Sequence, residues 1–195
     1  MNFLAHLYLS GDNPLIQIGN FIGDHVKGRN YLRYSSEIQQ GILLHRKIDS
    51  YTDTHPLVKQ SSKRLYEKYG RYSGIIIDVF YDHYLGKNWM LFSDVKLSKY
   101  VSRVHKTLLS NYFKLPREVK SFLPFMVKSR RLETYATVEG IHRSLQIMSN
   151  YSSLPAHADW AIEQMRQFDK EFNEEFLAFF NEVKQMAEQE LLRLA

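Results

Sequence analysis

The chain has 195 residues, of which 44% are hydrophobic and 24% are charged, with a formal net charge of +5 and no cysteine. This length predicts one domain spanning residues 1–195 with an apolar core, and the lack of cysteine excludes disulfides, thiolate nucleophiles and cysteine-bound zinc. No apolar run approaches the ~18 residues that a membrane span needs, and the N-terminus lacks the basic segment of a secretory signal, so we expect a cytoplasmic protein.

The few prolines and glycines mark the predicted helix boundaries. Pro56, Pro116 and Pro155 stand where helices would begin, because proline is tolerated in a first turn, and Gly70 closes the first of these segments. Between the breaks, apolar residues recur at helical spacing and strand-like alternation is scarce. The stripes include Val101, Val104, Leu108 and Leu109, and, on a long C-terminal helix, Phe172, Phe176, Phe179, Phe180 and Val183. We therefore predict an all-α fold, a single-domain helical bundle.

Two candidate functional residues precede the first long predicted helix. His6 lies in an apolar N-terminal segment, where an imidazole can be a metal ligand, a proton donor or a packed side chain. Asp24 follows Gly23 at a predicted turn, where a carboxylate can project into a pocket. The structural alternative for Asp24 is the N-cap of a helix.

The next candidates lie on one predicted helix. His45, Asp49 and Asp53 are each four residues apart, so their side chains share a helix face. Asp49 is placed either to bind a metal directly or to orient the imidazole. Taken alone, His45 is equally compatible with a hydrogen-bonded core histidine, and its spacing to Asp49 favours the metal interpretation.

Asp78 and Asp82 have the same four-residue spacing on a later helix whose other residues are largely apolar. An unpaired buried carboxylate there costs several kcal/mol, and two neighbouring carboxylates repel each other. A divalent cation would remove both problems, and ion pairs with Arg46 or Arg71 are the structural alternative. Two such helices packed together can bring imidazole and carboxylate groups to one metal in a bundle core.

The candidate ligands also indicate a metal and a class of reaction. Carboxylates and imidazoles without thiolates suit Mn²⁺, Mg²⁺ or Fe²⁺, with zinc as an alternative. Such a cation supports hydrolysis, an aspartate can accept the proton, and Lys27, Arg46 or Lys47 can neutralise phosphate charge. The sequence lacks the patterns of serine triads, P-loops and dinucleotide-binding sites.

Charge is distributed unevenly along the chain. Residues 96–131 contain ten Lys or Arg and one acid, Glu118, whereas residues 159–195 contain nine acids and four bases. A basic segment can attract nucleic acid, anionic lipid or an acidic protein, and the sign of the charge does not choose among them.

These residues lie in segments that resemble the acyl carrier protein phosphodiesterase family. The matching segments are MNFLAHL at 1–7, GNFIGD at 19–24 with VKG at 26–28, GI at 41–42 with HRKID at 45–49, TDTHP at 52–56, DVFYDH at 78–83, and Tyr135 with EGI at 139–141. The resemblance implies hydrolysis of the phosphodiester between 4′-phosphopantetheine and a serine of holo-acyl carrier protein. It also implies a divalent metal, usually manganese, and a distant similarity to helical HD phosphohydrolases.

The resemblance assigns provisional roles to individual residues. Catalytic candidates are Asp24, His6 and Asp49, and metal candidates are Asp24, His45, Asp78 and Asp82. The charge pattern, rather than the resemblance, gives the candidates for binding the acidic carrier protein, which are Lys27, Arg46, Arg130 and Arg131. We expect holo-acyl carrier protein as the partner, and neither nucleic acid nor a membrane. The His-Asp dipeptide that names the HD superfamily is absent, and only the reverse order occurs, at residues 24–25 and 82–83.

Two other functions remain open at this point. The first is a phosphohydrolase that uses the same metal site on nucleotides or other small phosphodiesters. The second is a non-catalytic helical module that binds nucleic acid or an acidic protein through residues 96–131, with Asp78 and Asp82 paired to arginines.

Overall fold

The computed structural model describes residues 1–194 and is helical throughout, with no strand in that range. The helices are α1 (Phe3–Leu9), α2 (Pro14–Phe21), α3 (Ser36–Thr54), α4 (Pro56–Lys63), α5 (Tyr66–Tyr69), α6 (Ser73–Lys87), α7 (Leu97–Ser110), α8 (Arg117–Lys128), α9 (Arg131–Thr134), α10 (Val138–Tyr151), α11 (Ala158–Gln167) and α12 (Asp169–Leu194). Short 3-10 turns lie at Gly23–His25, Asn30–Arg33, Gly70–Tyr72, Trp89–Leu91 and Tyr112–Lys114. The prediction of an all-α fold is confirmed.

Most predicted boundaries coincide with observed helix ends. Pro56 is the first residue of α4, and His55 caps this helix because its Nδ1 accepts a hydrogen bond from the backbone N–H of Leu57 at 3.3 Å. The segment expected to run unbroken to Gly70 is divided into α4 and α5. Pro155 precedes an irregular stretch, and α11 begins only at Ala158.

Helices α2 and α3 are in contact through their backbones. A Cβ atom on Gly19 would lie 2.1 Å from the carbonyl oxygen of Ile38, and one on Gly41 would lie 2.2 Å from that of Ile16. Only glycine permits this approach. As a result, the C-terminal turn of α2 lies directly against the middle of α3, where His45 is located.

The hydrophobic core is one apolar cluster whose members run from Met1 to Ala187. The aromatic stripe of α12 is fully buried in it, as predicted, and burial of each large side chain contributes about 1.5–3 kcal/mol. Leu109 departs from the predicted stripe of α7, because it is 48% exposed whereas its neighbour Leu108 is buried. None of the helices within residues 1–194 combines the length and apolar character needed to cross a bilayer.

Helix α6 lies in the interior and packs against α1, α4, α10 and α12. It therefore carries Asp78 and Asp82 inward together with its apolar residues. Arg64, which directly follows α4, links α4 to α12 through two hydrogen bonds of 2.7 Å to the carboxylate of Glu175.

Candidate metal site and substrate cleft

Three side chains of metal-ligating type converge where α1 and α3 meet. His6 Nε2 lies 3.1 Å from Asp49 Oδ1, and His45 Nε2 lies 3.1 Å from Asp49 Oδ2. The two imidazole rings are stacked with their centroids 4.1 Å apart, and both are buried, whereas Asp49 is partly exposed. One potential ligand atom from each residue lies within 4.8 Å of the others, a grouping that can hold a metal ion.

Asn20 at the end of α2 orients both imidazoles. Its Nδ2 donates to the carbonyl oxygen of His6 at 3.0 Å and to Ser10 Oγ at 2.8 Å, so its Oδ1 is the atom that faces His6 Nδ1 at 2.7 Å. His6 Nδ1 must therefore carry a hydrogen. His45 Nδ1 donates to the backbone oxygen of Asn20 at 2.8 Å. Both Nδ1 atoms are thus used as donors, and both Nε2 atoms are directed toward Asp49.

This orientation is the one that metal-binding histidines require, because the second ring nitrogen is held by an outer partner. Two imidazole lone pairs and a carboxylate would repel each other unless a proton or a metal ion lies between them. His45 Nε2 is buried and forms no hydrogen bond with any described residue, although carboxylate oxygens of Asp49 and Asp24 lie 3.1 and 3.3 Å away. The donor set and this unpartnered nitrogen fit a divalent cation.

The pKa values describe the same site in the absence of a metal. Burial lowers the pKa of His6 to about 4, so this imidazole is neutral at pH 7. Burial also opposes protonation of His45, but the carboxylates of Asp24 and Asp49 outweigh it and raise its pKa to about 9. For Asp49, burial opposes ionisation, and the two imidazoles still hold its pKa well below the usual range. Protonated His45 therefore supplies a positive charge next to the carboxylates of Asp24 and Asp49.

Asp24 lies at the exposed edge of the cluster, in the turn Gly23–His25. Its Oδ1 is 3.3 Å from His45 Nε2, and its side chain is 66% exposed. The neighbouring imidazole of His45 lowers the pKa of Asp24, so its carboxylate is ionised near neutral pH. Asp24 forms no N-cap hydrogen bond in this turn. Gly23 makes the approach possible, since a Cβ atom there would lie 2.2 Å from the ring of His45.

Asp78 and Asp82 have other partners than those expected from the sequence. Asp78 Oδ1 accepts a hydrogen bond from the N-terminal ammonium of Met1 at 2.9 Å. Asp82 is fully buried, and its two oxygens accept hydrogen bonds from the backbone N–H groups of Leu4 and Ala5 at 2.8 and 3.1 Å. Burial raises the pKa of Asp82 to about 7 despite these bonds.

The structure does not bring Asp78 or Asp82 into the cluster of His6, His45 and Asp49. Arg46 and Arg71 also form no ion pair with either carboxylate among the described residues. Asp82 instead caps the start of α1 and so fixes the helix that carries His6. This partner differs from both the metal ion and the arginines expected from the sequence, because backbone N–H groups leave no mark in a residue pattern. The roles of both aspartates as metal ligands remain predictions.

The four residues predicted to bind substrate have different surroundings. Lys27 and Arg46 line a depression of about 280 Å³ that also contacts Asp24 and Asp49. Arg46 supports this depression, because its guanidinium donates to the backbone oxygens of Val26 and Gly28 at 2.8 and 2.7 Å. Arg130 forms an ion pair with Glu133 on the adjacent short helix α9. Arg131 lines the larger cleft described next.

A second cavity, a cleft of about 640 Å³, also borders Asp49. Its acidic end is formed by Asp24, Asp49, Asp53 and Asp78. Its remaining walls are mostly apolar and come from α6, α8 and α10, with Ile75, Val79, Phe122, Phe125, Met126, Ile147, Met148 and Tyr151. Asp24 and Asp49 border both the cleft and the depression lined by Lys27 and Arg46. Of the three clustered residues, Asp49 therefore borders both cavities, His45 borders only the depression and His6 borders neither.

Most residues of the cleft wall could not be predicted from the sequence. Apolar residues on an amphipathic helix indicate core packing, and nothing in their spacing separates a cleft from a core. The structure distinguishes them by exposure, because Phe125 and Tyr151 are 47% and 87% exposed although both line the cleft.

Comparison with known proteins identifies the family. A sequence model described as acyl carrier protein phosphodiesterase matches residues 1–183. This chain belongs to the acyl carrier protein phosphodiesterase family. Membership in this phosphodiesterase family makes the chain a hydrolase, and it excludes the non-catalytic alternative.

Individual members of the acyl carrier protein phosphodiesterase family match along nearly their whole length. The acyl carrier protein phosphodiesterase of Yersinia enterocolitica is 33% identical over 181 residues, which cover 92% of this chain and 94% of that protein. The protein of the same name from Pectobacterium atrosepticum is 31% identical over 193 residues, which cover 98% of this chain and all of that protein. No solved structure matches the chain, so the similarity to HD phosphohydrolases remains a prediction.

Proposed function

We propose that this chain hydrolyses the phosphodiester that joins 4′-phosphopantetheine to a serine of holo-acyl carrier protein. The products are the apo protein and free 4′-phosphopantetheine. The main support is that Asp49, which lies against both His6 and His45, borders two cavities. The mostly apolar cleft suits a prosthetic arm, and Lys27 and Arg46 in the depression can attract an acidic protein.

The cluster is proposed to hold a divalent cation, with Mn²⁺ as the first choice and Mg²⁺ or Fe²⁺ as alternatives. Two imidazoles and a carboxylate without thiolates suit these ions. When bound, the cation supplies Lewis acidity that polarises a phosphoryl oxygen and makes water a stronger acid. His6, His45 and Asp49 would hold it, and Asn20 keeps both imidazoles in the required tautomer.

Asp24 is the proposed general base. Its carboxylate is ionised, exposed and borders both cavities, so it can accept a proton from a water molecule that attacks phosphorus. The bond between phosphorus and the serine oxygen then breaks, that oxygen takes up a proton, and the phosphate leaves with the arm. Lys27 in the adjacent depression can stabilise the negative charge that develops on the phosphate.

Electrostatics favours an acidic protein as the substrate. Lys27 and Arg46 adjoin the cluster, and α7 and α8 carry most of the basic residues in the segment 96–131. A positive surface increases the association rate of an acidic partner and orients it before binding.

Mass spectrometry of holo-acyl carrier protein after incubation with the enzyme and Mn²⁺ tests this function. We expect loss of the mass of the arm, no loss in the presence of EDTA, and no loss with Asp24→Ala when circular dichroism shows that its helices are intact. Unchanged holo protein, together with turnover of a small phosphodiester such as bis(p-nitrophenyl) phosphate, would favour the small-molecule alternative instead.

A further inference from the structure

Two of the polar groups in the wall of the cleft form no hydrogen bond of normal geometry with the protein. The hydroxyl of Tyr135 and the Nε of Arg131 are buried and form no hydrogen bond among residues 1–194, and both residues line the cleft. Buried polar groups in folded proteins are nearly always hydrogen-bonded, so each exception calls for an explanation. The hydroxyls of Tyr69 and Tyr100 are also unpartnered, but neither residue borders the cleft.

The backbone around Tyr135 is held firmly. Its carbonyl oxygen accepts a hydrogen bond of 2.9 Å from His83 Nδ1 on α6. The next residue, Ala136, packs so closely on Gly86 that a Cβ atom there would lie 2.9 Å from the Ala136 Cα. Tyr135 itself is fully buried. A hydroxyl on such a fixed residue is preorganised for a ligand, because little ordering remains to be done on binding.

The charge of Arg131 is also unused within the described part of the chain. The neighbouring Arg130 is paired with Glu133, whereas no carboxylate lies within ion-pair distance of Arg131. The side chains of Arg131 and Asn2 are close enough to the Tyr135 hydroxyl to oppose, in part, the rise that burial causes in the pKa of the phenol, although neither forms a hydrogen bond of normal geometry with it. The wall of the cleft thus presents a guanidinium and a phenol next to each other, and both can donate hydrogen bonds.

We propose that Arg131 and Tyr135 form a subsite that donates hydrogen bonds to an amide carbonyl of the pantetheine arm. This inference rests on the proposed function. The arm carries amides separated by short aliphatic segments, which match a mostly apolar wall with a few fixed donors. The phosphate of the substrate would then lie at the acidic end of the cleft, beside the candidate metal site. The sequence-based expectation for Arg131, contact with the acidic surface of the carrier protein, is the competing interpretation.

Two partial ligands separate these interpretations. Pantetheine has the arm without phosphate or protein, and apo-acyl carrier protein has the protein without the arm. Calorimetric titration of each into the Mn²⁺-loaded enzyme measures binding without reference to turnover. We expect Tyr135→Phe and Arg131→Gln each to weaken pantetheine binding about fivefold to tenfold, which corresponds to one lost hydrogen bond, and to change apo protein binding less than twofold.

Matched controls come from the rest of the chain. Tyr100→Phe removes a buried, unpartnered hydroxyl that lies outside the cleft, and Lys170→Gln removes an exposed charge on α12. Both controls should bind pantetheine as the wild type does. Thermal melting must show that the Tyr135 and Arg131 variants are folded, and Arg131→Lys serves as a second variant if Arg131→Gln fails to fold.

Three results would overturn the subsite: no saturable binding of pantetheine to the wild type, unchanged pantetheine binding in both cleft variants, or a loss confined to the apo protein. The last result would assign Arg131 to docking of the carrier protein. A wild type that binds pantetheine through Tyr135 but fails to convert holo protein would refute the proposed reaction and leave the subsite intact.

Discussion

At the scale of single residues, the site depends on how a few small or polar side chains place the two histidines. Gly23 is the clearest case, because any side chain there would collide with the ring of His45. We predict that Gly23→Ala lowers Mn²⁺ affinity on the order of tenfold, since a displaced ligand weakens the site as loss of an outer partner does. Gly74→Ala is the matched control, because a Cβ atom there meets nothing within 4 Å. Equal Mn²⁺ affinity of the two variants in calorimetric titrations would contradict the role of Gly23.

Asn20 contacts both histidines of the cluster, but through different atoms. Its side-chain oxygen fixes the tautomer of His6, whereas His45 is held by its backbone oxygen, which a substitution leaves in place. Asn20→Ala should therefore loosen only His6 and reduce Mn²⁺ affinity about 10- to 100-fold. The same calorimetric titration of Mn²⁺ checks this prediction. Gln39→Ala is the control, because the side-chain amide of Gln39 donates to the backbone oxygen of Tyr34 rather than to a residue of the metal cluster. Wild-type affinity in Asn20→Ala would contradict the outer-partner role.

The spacing of residues in the sequence predicts the relation between His45 and Asp49, but it does not predict the partners of Asp82. Four-residue spacing places His45 and Asp49 on one face of α3, and the structure has them there. The partner of Asp82 could not be inferred in the same way, because it consists of backbone N–H groups that every residue except proline carries. Only the packing of α1 on α6 shows that these groups meet the carboxylate.

At the scale of helices, Asp82 joins α6 to the first turn of α1. Asp82→Asn keeps one acceptor and removes the charge, so we predict a loss of about 1–2 kcal/mol in the free energy of unfolding. The amount of Mn²⁺ bound per chain, measured by elemental analysis, should stay the same if Asp82 is a capping residue. Loss of bound Mn²⁺ from a folded Asp82→Asn variant would support the original prediction that it is a ligand.

A second link between helices makes stability depend on pH. Burial would raise the pKa of Glu175, but hydrogen bonds from Arg64 and Ser61 outweigh it, so the pKa is lowered in the folded chain. A carboxylate with a lowered folded pKa stabilises the protein above its unfolded pKa, here about 4.5, and that contribution is lost as the pH falls through the folded value. Acid should therefore weaken the link between α4 and α12.

Urea unfolding at pH 7 and at pH 3 measures this effect. Glu175→Gln should cost about 3 kcal/mol at pH 7, because it leaves the partly buried Arg64 without its charge partner. At pH 3 the difference between variant and wild type should shrink. A constant difference at both pH values would show that Glu175 contributes through packing rather than charge. Glu174→Gln is the control, since the Glu174 carboxylate lies on the exposed side of α12.

At the scale of the whole molecule, the fold was easier to predict than the cleft. Helical spacing of apolar residues and the positions of prolines depend on local geometry, so an all-α bundle follows from the sequence. The cleft depends on where α6, α8 and α10 leave space between them, which no local pattern encodes. The spacing of Phe122 and Met148 in the sequence does not differ from that of core residues. Only the packing of the helices places them in the same cleft as the four aspartates.

We propose that His6, His45 and Asp49 hold one divalent cation between them. Titration of Mn²⁺ into the EDTA-treated protein measures this binding through the loss of the electron paramagnetic resonance signal of free Mn²⁺. We predict saturable binding to the wild type, loss of that binding in Asp49→Ala, and its retention in Asp53→Asn, a carboxylate one helical turn away that lines the same cleft. Binding by Asp49→Ala as tight as that of the wild type, or no binding by the wild type, would show that these three residues do not form the metal site.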